Sequence, residues 1–181
     1  MNTILIGYFP KKTAKRPEWL EVPHVEEVCS VSDCISSGPD GWIDHWTHNA
    51  FWAYDSPDAA WSVVPANQAD FDLYAWRIFP VRFTDEHDEP LELPHLDVAP
   101  LPPTFIRLGF DAVSRHLDST FECSPLSCNS MAQEIPVNRF CLVETESEAF
   151  RVAREFARTE PEPGPYFLIE VWRDYPNANV A

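Results

Sequence analysis

Apolar residues fall in short runs broken by proline, and the period of those runs changes along the chain. Ile4-Leu5-Ile6-Gly7-Tyr8-Phe9, ending at Pro10, reads as a strand over 3–9. Residues 24–36 are ambiguous, because Val25, Val28, Cys29 and Ile35 suit a helix closed by Gly38-Pro39. Trp42, Ile43, Trp46 and Ala50 recur at helical spacing, so a short helix is expected over 42–50. A second opens at Ser56-Pro57-Asp58, where serine caps and proline fits the first turn. Leu73 to Phe83 is rich in β-formers and reads as a strand edged at Pro80, with a turn over the acidic 85–89.

Prolines 90, 94, 100, 102 and 103 forbid regular helix over 90–103. Leu91, Leu93, Leu96, Val98 and Leu101 make this a segment that crosses the core, since leaving them in water would be costly. Phe105 to Val113 reads as a strand with a bulge at Gly109. The last unit has the clearest pattern: strand 137–143, helix 145–158, strand 166–172. Thr145-Glu146-Ser147-Glu148 is a capping box, and Ala149, Val152, Ala153, Phe156 and Ala157 form one apolar stripe behind it. The expected fold is α+β, a single domain over 1–181 with a small mixed sheet, a C-terminal β-α-β unit and several short helices. No internal repeat is visible beyond two matched cysteine spacings.

Composition narrows the function classes. No apolar run approaches the roughly 20 residues that span a bilayer, and no signal-like apolar run follows the start. Five cysteines is an odd number, which argues against a secreted disulfide scaffold, so a cytoplasmic protein is expected. Arginine outnumbers lysine, which suits a bacterial source. Net charge is −16, and no Lys or Arg occurs between Pro17 and Trp76, a stretch that holds six of the seven tryptophans. Such a face repels nucleic acid and anionic membrane and attracts a basic protein. Asp40, Trp42, Asp44, His45, Trp46, Asp55 and Asp58 are the candidate contacts for that partner, although tryptophans at helical spacing are more often core.

Four of the five cysteines form two pairs with the same gap, Cys29 with Cys34 and Cys123 with Cys128. Residues five apart diverge by about 140° on a helix and face opposite sides of a strand, so convergence needs a bend at each pair. Pro125 supplies one, and Gly38-Pro39 lies just beyond the other. If all four thiolates met, they would form a tetrahedral structural zinc site. Against that stands the plainer reading of small buried hydrophobes, the expected state of Cys141. Asp44, His45 and His48 offer a weaker ligand set beside the first pair.

No glycine-rich phosphate loop, Gly-x-Ser-x-Gly elbow or His-Glu-x-x-His occurs. What remains for an enzyme is the polar cluster over 107–129. There His116 is a base for Cys123 or Cys128 as nucleophile, or Arg107, Ser124 and Glu170 act together. Three stretches, Cys29 to Trp46 (CSVSDCISSGPDGWIDHW), Phe121 to Asn129 (FECSPLSCN) and Glu160 to Trp172 (EPEPGPYFLIEVW), resemble a family of bacterial proteins with no assigned activity. That resemblance implies no fold, substrate or catalytic residue. Three readings therefore stand: an acidic binding or inhibitory protein of the immunity type, an enzyme built on 107–129, and a structural zinc protein.

Overall fold

The computed structural model describes residues 2–44, 47–67, 70–116 and 120–176. It is an α+β fold. In chain order the elements are β1 (Ile4–Lys11), β2 (Ala14–Lys15), β3 (Glu27–Val28), α1 (Pro57–Ser62), β4 (Asp72–Phe83), β5 (Asp88–Pro90), β6 (Phe105–Ser114), α2 (Pro125–Cys128), α3 (Glu146–Thr159) and β7 (Tyr166–Asp174). The main sheet runs β1-β4-β7-β6, with β5 paired to the far end of β4, and every pairing is antiparallel. A small second sheet pairs β2 with β3. No helix among the described residues is long and apolar enough to cross a membrane.

Burial explains the order of the sheet. β4 and β7 are nearly continuous apolar runs and occupy its centre, as a strand covered on both faces must. The stripe of α3 buries Ala149, Val152, Ala153, Phe156 and Ala157 against Phe79, Phe110, Ala112 and Leu168. Its N-terminus is closed by Thr145, whose hydroxyl accepts the Glu148 N–H at 3.4 Å, and its C-terminus by Glu160 in the left-handed region. Leu91, Leu93, Leu96, Val98 and Leu101 pack on the other apolar cluster, so the proline-rich segment does cross the core.

Three local expectations differ from what forms. Residues 24–36 are irregular apart from β3, and a 3-10 turn over Trp42–Asp44 stands where a helix over 42–50 was expected, with His45 and Trp46 outside the described residues. Residues 137–143 alternate like a strand but form a loop. There Asn138 Oδ1 accepts the N–H groups of Phe140 at 2.9 Å and Leu142 at 3.3 Å, which takes those donors from any strand ladder. Cys141 then adopts φ 60°.

An internal two-fold repeat, invisible in the sequence, organises all of this. Gly7 and Gly109 each sit at a register shift in an edge strand, with φ 141° and 149°. A Cβ on Gly7 would meet Ala53 Cβ at 2.7 Å and Tyr54 O at 2.8 Å; one on Gly109 would meet Leu142 Cβ at 2.9 Å and Val143 O at 2.8 Å. The residue after each glycine exchanges two backbone bonds with the incoming loop, Tyr8 with Tyr54 and Phe110 with Val143. Each loop is built on an asparagine. Asn49 Nδ2 donates to Ile6 O and Asp55 Oδ1, and its Oδ1 accepts from Phe51 and Ala53. Asn138 Nδ2 donates to Leu108 O and Glu144 Oε2, and its Oδ1 accepts from Phe140 and Leu142. A hydroxyl cap then opens a helix in both, Ser56 for α1 and Thr145 for α3. The glycines pair with Trp76 of β4 and Val171 of β7, and those two residues pair with each other, which places the pseudo-axis between the central strands.

Candidate metal centre

Each edge strand leads into an elbow that returns the chain, and the second elbow carries two of the cysteines. Ser114 N donates to Cys123 O at 2.9 Å, as Lys12 N donates to Ser37 O at 3.0 Å in the first unit. Pro125, two residues on, begins α2, and Pro39 holds the same place in the first elbow. Proline suits that position because the first turn of a helix needs no N–H there. Cys128 ends α2, its N–H bonded to Ser124 O at 2.8 Å, so one short turn brings it back toward Cys123.

Cys34 arrives from the first unit on a loop gripped from both sides. Lys11, 1% exposed, donates from Nζ to Ser30 O at 3.0 Å, Val31 O at 3.0 Å and Ser32 O at 2.6 Å, with Asp33 Oδ1 at 3.3 Å. On the other side Val31 N donates to Asp111 Oδ2 at 2.8 Å, and Ser124 Oγ donates to Asp111 Oδ1 at 2.6 Å. The fully buried carboxylate thus ties the loop to the elbow.

The sulfurs of Cys34, Cys123 and Cys128 lie within 4.8 Å of one another, and among the described residues no further His, Cys, Asp or Glu joins the group. Cys123 is buried, Cys128 partly buried and Cys34 exposed. The Cys34 thiol donates to Glu122 O at 3.3 Å, the Cys123 thiol to Asn129 Oδ1 at 3.4 Å, and Ser32 Oγ lies 3.5 Å from Cys128 Sγ. The adjoining Cys123 side chain holds the Cys128 thiol well below the ordinary range, against the opposing effect of burial. Cys123 is pushed up by the same contact, and Cys34 is raised first by burial. Three cysteine sulfurs, deprotonated on binding, are the soft donor set that thiophilic ions select. A tetrahedral zinc ion with bonds of about 2.3 Å sets its sulfurs about 3.8 Å apart, so these three need to close by at most about 1 Å.

Cys29 does not join them. It lies by Tyr74, whose hydroxyl donates to its sulfur at 3.5 Å, and by Arg173 Nη1 at 3.9 Å; burial pushes its thiol up to about 11. The matched gaps of the two pairs do not reflect the repeat either. The counterparts of Cys123 and Cys128 in the first elbow are Ser37 and Trp42, while Cys29 and Cys34 lie in a longer connection between β1 and that elbow. Cys141 is buried in the Asn138 loop, as expected of a core thiol.

The remaining candidates are dispersed. His116 is 55% exposed, with Nε2 3.6 Å from Glu122 Oε2. Arg107 and Glu170 do lie on neighbouring strands, 3.7 Å apart, but Ser124 is buried and committed to Asp111. Trp42 packs edge-on against Phe9 at 4.7 Å and is 8% exposed, and Asp55 accepts from Asn49, so both are occupied by the fold. Asp40 and Asp44 are exposed around a shallow depression that also includes Gly38, Gly41 and Trp42; Asp58 is exposed at the start of α1. His45 and Trp46 lie outside the described residues, and His48 stacks on Trp52 at 4.4 Å.

Sequence reasoning missed Lys11, Ser32 and the grip on the Cys34 loop. The available signal was a charge ending the apolar run Ile4 to Lys11 and another, Asp111, inside Gly109-Phe110-Asp111-Ala112-Val113. Comparison with protein families, with curated proteins and with solved structures finds no match.

Proposed function

We propose that the protein binds one thiophilic divalent cation, zinc foremost, through Cys34, Cys123 and Cys128. The observation that carries this is the convergence of three thiols from two distant segments, each with its own hydrogen-bond partner. Zinc supplies Lewis acidity and a fixed tetrahedral frame when bound. The protein's part is to present the sulfurs, with Cys128 already biased toward thiolate, and to leave a fourth direction open beside exposed Cys34 for water or an outside ligand. Such an ion also clamps the Cys34 loop to the elbow, so its binding energy adds to folding.

Competition of the apoprotein with a chromogenic zinc chelator tests the reading. One zinc per chain is expected, with affinity reduced at least about 100-fold in Cys34→Ser, Cys123→Ser and Cys128→Ser and unchanged in Cys29→Ser. A wild-type protein that takes up no zinc, or equal loss in Cys29→Ser, overturns it.

A further inference from the structure

We infer that Lys11 and Asp111 are positioning residues of the cysteine site, introduced as two copies of one structural unit diverged. The claim rests on the metal reading for its purpose, though not for its geometry. Counting from the bulge glycines, Phe9 corresponds to Asp111 and Lys11 to Val113, and all four side chains are buried. In the first unit Phe9 lies against Gly38, where a Cβ would meet the ring at 2.8 Å, and packs on Trp42. At the same three places the second unit has Asp111, Ser124 and Cys128. An aromatic cluster in one unit is thus a polar, thiol-bearing cluster in the other.

Each buried charge therefore sits where the sister unit is filled by an apolar residue, so the shared fold does not require it. Burying an ion is costly unless something specific is gained. Both charges act on the same few residues: Lys11 gathers the carbonyls of 30–32, and Asp111 takes the Val31 N–H. That loop lies in the extra length of the first unit, crosses to the second, and delivers Cys34. Its ordering by the hydrogen bonds of these two buried side chains is what completes the three-thiol group.

A trivalent aryl arsenical reads this directly, since it bridges two neighbouring thiols with loss of one water and needs no zinc. In the wild-type apoprotein, peptide mapping should find Cys34 linked to Cys123 or Cys128. Lys11→Met and Asp111→Ala should lose the Cys34 links at least tenfold while keeping the Cys123–Cys128 link, and zinc affinity should fall at least tenfold. Asp111→Asn should behave as wild type, because an amide can still accept from Val31 and hydrogen-bond Ser124. Cys34 linking at the wild-type rate in both Lys11→Met and Asp111→Ala overturns the inference. So does global unfolding of both, because it would mean that the fold itself needs these side chains. If the wild type links Cys34 yet takes no zinc, the metal reading fails and the positioning role stands.

Discussion

Phe9 and Asp111 occupy the same place in the two halves of this molecule, each two residues beyond a bulge glycine and each against the start of an elbow. One side chain fills space and the other binds a hydroxyl and a backbone N–H. The framework around them is shared, and the two side chains differ in kind.

That framework depends on its asparagines. Asn49→Ala and Asn138→Ala each strand two loop N–H groups and a strand carbonyl, so each should cost about 2 to 4 kcal/mol. Urea denaturation checks this. The two costs should be similar and the double variant additive; a neutral effect at either position would contradict the repeat as a structural device.

Gly109→Ala should be more severe than a typical surface change, since the new Cβ would meet Val143 O at 2.8 Å and φ is 149°. The expected outcome is a loss of at least about 2 kcal/mol, with the β6 register disturbed. Amide exchange at Phe110 and Val143, which share the bridge beside the glycine, should quicken in the variant. Unchanged protection there would argue against this close approach.

The buried thiols make the fold sensitive to alkali. Burial pushes Cys29 up to about 11 and Cys141 to about 12, from 9.0 in each case, and raises Tyr8, Tyr54 and Tyr166 to about 12. The folded state then keeps protons that the unfolded chain gives up. Their contribution is complete below pH 9 and is lost as pH rises through 11 to 12, roughly 3 to 4 kcal/mol for each cysteine. Urea midpoints should be level up to about pH 8.5 and fall steeply above it, with a gentler fall in Cys141→Ala. A flat profile to pH 11 contradicts it.

Much of the fold could be read from the chain because local signals agreed with it. Gly109 announced its bulge, Thr145 its helix, and the leucines between prolines 90 and 103 their return to the core. Val137 to Val143 misled because an alternating pattern says nothing of Asn138's competing bonds. The repeat was hidden because its equivalent residues differ in kind, Phe9 for Asp111 and Trp42 for Cys128, and its connections differ in length. For the site, the sequence pointed to the right residue type and to three of the right positions. It could not show that Cys29 turns toward Tyr74 and Arg173 instead.

The most direct test of the central claim is zinc K-edge absorption on the wild-type protein loaded with one equivalent of zinc. Three sulfur neighbours at about 2.3 Å and one lighter atom are predicted. Replacing one of the three sulfurs by a lighter atom in Cys34→Ser would complete the case. A shell of oxygen and nitrogen alone in the wild-type protein would contradict it.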